Sequence, residues 1–198
     1  MDTKIIQKIL EVIHLAERLK KELRHSWLSN GRQESVAEHS WRLALIAVLV
    51  EPYLDHPVNL ERLLTMSIIH DLVEAIAGDI PAFDTQQNQG LKEKKTHREL
   101  AAIETIRSTL PTELGQALYD SWIEFEEKAT YEAKVAQAID KLEAQLQHNE
   151  ADITSWLDIE YQMVYRLKNH VSFDSFLQAF EQAIREEAEE KMTAARLE

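Results

Sequence analysis

Apolar residues recur at helical spacing in nearly every segment of this chain, and that periodicity confines it to a fold built from helices. Ile5, Ile6, Ile9, Leu10, Ile13 and Leu15 define a first helix over roughly residues 3–23. "SVAE" reads as a capping box, with Ser35 accepting from the Glu38 amide and the Glu38 side chain reaching back. The helix it opens runs through "HSWRLALIAVLVEPYL" and is apolar on more than one side, which places it centrally. Asn59 caps a third helix that ends near Ala77, where Gly78 supplies the stop. "GDIPAFDTQQNQG" is a loop, and the charged helix "LKEKKTHRELAAIETIRSTL" follows it as far as Pro111. Further helices are expected near residues 112–127, 131–148, 153–169 and 173–192. The last loses its apolar face along "AIREEAEEKMTAARLE" and is expected to project.

With only 4 Gly and 4 Pro in 198 residues, composition favours the same all-α answer. No repeat, low-complexity tract or long linker divides the chain. A single-domain helical bundle over residues 1–198 is expected, with its core at about 15–170 and the helix at 173–192 peripheral.

Charge narrows the partners. The formal net charge of −13 repels nucleic-acid backbones and anionic membranes, and no basic stripe offsets it. A small anion could bind only where local cations or a metal reverse the field. With 0 Cys, any metal must be held by His and carboxylates. The N-terminal stretch is amphipathic and charged, without the unbroken apolar run of a signal peptide, and "LALIAVLV" is too short to cross a bilayer. A cytoplasmic protein is expected.

One cluster resists a purely structural reading. In "HDLVEAIAGD", residues 70–79, an apolar helical run ends in His70 and Asp71, and two more carboxylates, Glu74 and Asp79, follow. His39 lies one turn into the second helix, and Asp140 sits among Ala138, Ile139 and Leu142, where an unpaired charge is costly. Two imidazoles and two carboxylates suit one divalent ion (Co, Mn, Mg, Zn, Ni or Fe). Glu74, four residues after His70, shares its helix face. A metal with open positions and a nearby carboxylate is the equipment of a hydrolase.

"ESVAEHSWRLALIA", "IIHDLVEAIAGDIPAFD" and "KVAQAIDKLEAQLQ" resemble the three ligand segments of the HD-domain metal-dependent phosphohydrolases, in the branch of the bacterial 5′-deoxyribonucleotidase and the eukaryotic HD domain-containing protein 2. The resemblance spans about residues 15–170 and implies a single HD domain. Its H…HD…D pattern falls on His39, His70, Asp71 and Asp140 as metal ligands. It implies a phosphomonoesterase acting on nucleoside 5′-monophosphates, deoxyribonucleotides foremost, with Glu74 and Asp79 as catalytic carboxylates. Arg24 stands where an Arg contacts the nucleotide, and Asp79, Ile80, Pro81 and Ala82 match a substrate-contacting loop. Where the deoxyribonucleotidase carries Trp after that Arg, this chain has His25, with Trp27 two places on. Relatives imply a homodimer.

Two other functions compete: a nucleotide-sensing or protein-interaction module on the same metal-binding fold, and a dinuclear oxygenase. The second needs another His beside the "HD", and Ile69 stands there instead. His97 is the most tempting remaining imidazole; His14, His56, His148 and His170 match no ligand spacing and are expected on the surface or in packing. The four tryptophans are expected in the core or at dimer contacts, with Trp27 the exception as a stacking platform for a base. "KEKKTHR" is expected to be chiefly a solvated helix face.

Overall fold

A computed structural model of the protein describes residues 3–81, 83–84 and 88–197. Its α-helices are α1 (Thr3–Ala16), α2 (Val36–Val50), α3 (Leu60–Ile69), α4 (Glu74–Ala77), α5 (Gln89–Thr109), α6 (Thr112–Glu127), α7 (Tyr131–Glu150), α8 (Asp158–Met163), α9 (Lys168–Val171) and α10 (Ser175–Ala195). A two-stranded antiparallel hairpin, β1 (Leu23–Trp27) and β2 (Gln33–Ser35), interrupts the all-helical pattern.

The largest core joins Leu43 of α2, Leu63 and Met66 of α3, Ile139 and Leu142 of α7, and Leu177 and Ile184 of α10. A second joins Val36, Leu72, Ile103, Ile106 and Trp122, with α1 packed on it through Ile9, Val12 and Leu15. α7 is therefore walled in by α2, α3, α6 and α10, and any polar group on its inner face must find a partner inside the protein.

Local signals place these elements. Ser35 and Glu38 make the reciprocal capping box, Asn59 accepts from the Arg62 amide, and Gly78 ends α4 at φ 75°. With ψ at 151°, Gly78 occupies a region essentially closed to residues with a Cβ.

Several expectations need correction. The first helix stops at Ala16 rather than near residue 23, because the chain tightens into a 3₁₀ turn and then enters the hairpin. Asn30-Gly31, with Gly31 at φ 80°, was the turn signal for that hairpin. The third helix breaks at Ile69, and i→i−3 bonds such as Leu72 N to Ile69 O (2.9 Å) and Glu74 N to Asp71 O (3.0 Å) wind residues 70–73 more tightly. The segment 153–169 is two short helices joined by 3₁₀ turns: Asp152 caps the first turn, and Trp156 and Leu157 are extended. The last helix neither projects nor lies peripheral. It places Leu177 and Ile184 in the main core, and Ala188 and Met192 against Trp156 and Val164.

α2 is also less central than its composition implies. Leu43, Ile46, Ala47 and Val50 are buried, but Trp41, Leu45, Val48 and Leu49 face outward.

Candidate metal centre

Four elements meet at the C-terminal end of α3. His39 comes from the first turns of α2, His70 and Asp71 from the tight turn after α3, Asp140 from the middle of α7, and Arg24 from β1. His39 is fully buried, and His70 and Asp140 are nearly so. His39 Nε2 lies 3.1 Å from Asp140 Oδ1 and 3.7 Å from Asp71 Oδ2; His70 Nε2 lies 3.1 Å from that same Asp71 oxygen. Ligand atoms of His39, His70 and Asp71 all fall within 4.8 Å of one another. Asp140 joins the group through His39, and its second oxygen is held by Lys141 Nζ at 2.8 Å.

These residues fit a divalent cation. His39 Nε2, His70 Nε2 and Asp71 Oδ2 are buried and make no hydrogen bond, an arrangement a fold does not keep without return. Each imidazole is oriented from behind. His70 Nδ1 donates to the Ser67 carbonyl at 3.0 Å, which leaves Nε2 bare. His39 Nδ1 meets the fully buried Glu143 carboxylate, whose other oxygen accepts from Arg42 Nε at 2.7 Å. Nitrogen and carboxylate donors suit borderline-to-hard divalent ions.

Glu34, His39 and Glu143 also bring ligand atoms within 4.8 Å. Glu143, however, is engaged by His39 and Arg42, and Glu34 forms an ion pair with Arg24 Nε at 3.2 Å. That group supports the centre from beneath.

Protonation follows from these neighbours. Burial and the Arg24 charge disfavour imidazolium at His39, but Glu143 and Asp140 outweigh them and push its pKa up to about 9. Burial opposes ionisation of Asp71, yet His70, His39 and Arg24 hold it well below the usual carboxylate range. Asp140, also buried, is held low by Lys141 and His39. Glu74 goes the other way: burial and the nearby charges of Asp71 and Asp79 raise it far above an ordinary glutamate. Asp79 is raised by burial and by Asp71, against the pull of Arg24. Carboxylates pushed apart in this way are equipped for different roles.

The centre opens into a cavity of about 440 Å³, large enough for a nucleotide-sized ligand. Arg24, Glu74, Asp79, Lys95 and Lys141 line it near the ligand residues. Glu74 Oε2 is buried without a partner, and its other oxygen lies 4.0 Å from Lys95 Nζ. His25, Ile80 and Pro81 also line the cavity, whereas Ala82 lies outside the described residues.

Several residues escaped the sequence reading. Lys95, Lys141, His148 and His170 line the cavity, although "KEKKTHR" read chiefly as a solvated face and His148 and His170 as surface or packing residues. Only one lysine of that basic run turns inward; His97 is exposed. Trp27 does not line the cavity; its carbonyl accepts from Gln147 Nε2 at 2.7 Å, tying β1 to α7. Glu143 and His148 carried a signal nonetheless. Asp140, Glu143, Gln147 and His148 repeat at helical spacing on a helix that also buries Ala136, Ile139 and Leu142.

Known proteins resemble this chain in sequence and in fold. The chain is 34% identical over 143 residues to the 5'-deoxynucleotidase HDDC2 of Xenopus laevis, covering 71% of this chain and 68% of that protein. It is 33% identical over 146 residues to the human protein of the same name, covering 73% and 68%. A crystal structure described as a predicted metal-dependent phosphohydrolase, from Magnetospirillum magnetotacticum, superposes with a TM-score of 0.82 at 28% identity, covering 95% of this chain and 97% of that one. The family model for the HD domain matches residues 16–179, and the chain belongs to the HD-domain family.

Proposed function

We propose that this protein is a divalent-metal-dependent phosphomonoesterase that hydrolyses nucleoside 5′-monophosphates, deoxyribonucleotides foremost. The supporting observation is the set of buried, unpartnered atoms His39 Nε2, His70 Nε2 and Asp71 Oδ2 beside a cavity that carries Arg24, Lys95 and Lys141. In a chain of net charge −13, those cations counter the surrounding acidity where a phosphate would enter. The acidity elsewhere supports a small-molecule substrate and argues against nucleic acid.

His39, His70, Asp71 and Asp140 would hold the ion. When bound, it supplies Lewis acidity towards water and the phosphoryl oxygens. Arg24, anchored by Glu34 and 3.5 Å from Asp71 through Nη1, offers its remaining guanidinium donors to the phosphate. Glu74 would orient the attacking water and take its proton, its raised pKa being one that the positive charge of a bound ion would bring down. Asp79, Ile80 and Pro81, which line the cavity, would border the nucleoside. The Asp79 amide is held by Glu22 Oε1 at 3.0 Å, so the loop keeps its place.

The test is phosphate release from a panel of nucleoside 5′-monophosphates with Mn(II) or Co(II), run beside His70→Ala and Glu74→Gln. Turnover in the wild type, its loss in His70→Ala with the metal, and a fall of about 10²-fold or more in Glu74→Gln with metal still bound are expected. If no phosphomonoester is cleaved with any divalent ion, the sensing or interaction reading replaces this one.

The outward stripe of Trp41 (66% exposed), Leu45, Val48 and Leu49 (61% exposed) supports a homodimer through α2. Sedimentation that returns a monomer at micromolar concentration would remove that assignment. Among the described residues no helix is long and apolar enough to cross a membrane. A nucleotide substrate supports a cytoplasmic location, which fractionation would check.

A further inference from the structure

The cavity continues well beyond the metal end. α7 lines it with Asp140, Ala144 and His148, a stripe at four-residue spacing that spans about 12 Å of helix. A nucleoside monophosphate with its phosphate beside Asp140 extends its base towards His148. There, Glu160 of α8 and His25 of β1 close the far wall.

Glu160 is buried, and only one of its oxygens has structural work: Oε2 accepts from the Leu157 amide at 2.7 Å and caps α8. Oε1 sits between two imidazoles, 3.4 Å from His148 Nε2 and 3.6 Å from His25 Nε2. His148 Nδ1 and His25 Nε2 are buried without hydrogen-bond partners. Both rings are held in place, His148 edge-on to Trp156 at 5.9 Å and His25 edge-on to Phe83 at 5.1 Å. Capping α8 needs one carboxylate oxygen, so the cap leaves the second oxygen and both imidazoles unexplained. His148 Nδ1 and His25 Nε2, buried, rigid and unpaired, cost free energy that a ligand would return. Ala144, Met163 and Leu167 supply apolar lining nearby, suited to the face of a base.

We infer that Glu160, flanked by His25 and His148, is the base-reading end of the site, its Oε1 accepting a hydrogen bond from the exocyclic amine of a nucleobase. Burial raises the Glu160 pKa, so the preference belongs to the pH range in which Glu160 is ionised; there the carboxylate can only accept, whereas a neutral imidazole can donate or accept at either side of it. An amine edge, as in adenine or cytosine, satisfies the carboxylate. Thymine carries the acceptor O4 where those bases carry the amine, and its one donor on that edge, N3–H, is flanked by two carbonyl oxygens that a carboxylate repels, so it is disfavoured. Burial, with the charges of His25 and Arg24, lowers the His148 pKa to about 4, which keeps that ring neutral and able to play either part. The inference rests on the nucleotide reading for the orientation of the ligand, and its test does not require turnover.

The ligands are 5′-methylenephosphonate analogues of deoxyadenosine and thymidine monophosphates, whose C–P bond stays intact, with methylphosphonate as the base-free probe. Calorimetry on the Mn(II)-loaded protein should show the adenine analogue binding about tenfold or more tightly than the thymine analogue. Glu160→Gln, which retains an oxygen for the Leu157 amide and turns its NH₂ towards the base, should bring the two within about threefold, through loss on the adenine side and gain on the thymine side. Its effect on methylphosphonate should be at least about fivefold smaller. His25→Ala, a more exposed position, should shrink the adenine preference in the same direction. Equal affinity for both bases in the wild type, or an equal loss on all three ligands in Glu160→Gln, would overturn the assignment. Phosphate release is a separate measurement, so a failed hydrolase reading is told apart from a failed base reading.

Discussion

Glu143→Gln tests whether the residue beneath His39 sets the metal centre. Glu143 offers two acceptor oxygens to two buried donors, Arg42 Nε at 2.7 Å and His39 Nδ1. Glutamine keeps the shape but offers one oxygen and one NH₂ group. With its oxygen towards Arg42, the NH₂ faces His39 Nδ1, which must then accept. The ring proton moves to Nε2, the atom turned towards Asp71 and Asp140. Loss of such a supporting carboxylate weakens metal binding by about 10- to 100-fold, or about 1.4–2.7 kcal/mol. A second effect opposes it. In the wild type the metal must displace a proton from an imidazole of pKa about 9, and Glu143 is the largest of the causes raising it. Wild-type affinity should therefore climb by about tenfold per pH unit between pH 7 and 9. The variant, with its imidazole already neutral, should show a flatter profile, so the gap is widest near pH 9 and narrows towards neutrality. Calorimetric titration of Mn(II) into chelator-treated protein at several pH values measures this, with thermal midpoints in EDTA as a check on folding. Parallel pH profiles, or equal affinity at pH 9, would refute the reasoning.

Two further outcomes follow from the same structure. In metal-free protein, His39 (about 9, from an ordinary 6.5) and Glu34 (about 7, from 4.5, through burial and Glu143) both have raised folded-state pKa values. Each contributes stability that is full below its unfolded pKa and lost as pH rises through the folded value. His148, lowered to about 4, acts in the opposite direction up to about pH 6.5, so the thermal midpoint in EDTA should fall from about pH 7 to pH 9, and saturating Mn(II) should reverse the trend; a rise over that range in EDTA would contradict it. Gly78→Ala forces a Cβ into a backbone region that favours glycine, 3.4 Å from Glu22 Oε1. It should cost about 1–3 kcal/mol in urea denaturation, and a loss under about 0.5 kcal/mol would show that the turn relaxes freely.

Much of the helical framework was legible because its signals are local. The Ser35 capping box, the Asn59 cap and the Gly78 stop depend on residues within one turn, and each appears where the spacing put it. The hairpin was missed even though Asn30-Gly31 announced it, because the apolar period of α1 was carried through Leu23 into a strand that exists only by pairing with Gln33–Ser35. Glu34 of that second strand then becomes the anchor of Arg24, a contact no local pattern contains.

The order of residues alone determined the helical class, the positions of the caps, and which imidazoles and carboxylates were available to a cation; these depend on period, backbone geometry and side-chain chemistry. Tertiary structure decided the rest. It turned Lys95 and Lys141 towards one cavity, set Glu143 behind His39, folded the C-terminal helix into the core, and brought Glu160 from α8 against His25 and His148. Those contacts join residues up to 135 positions apart. Their energies come from burial and from charges held in a low dielectric, quantities that exist only once the chain has closed around them.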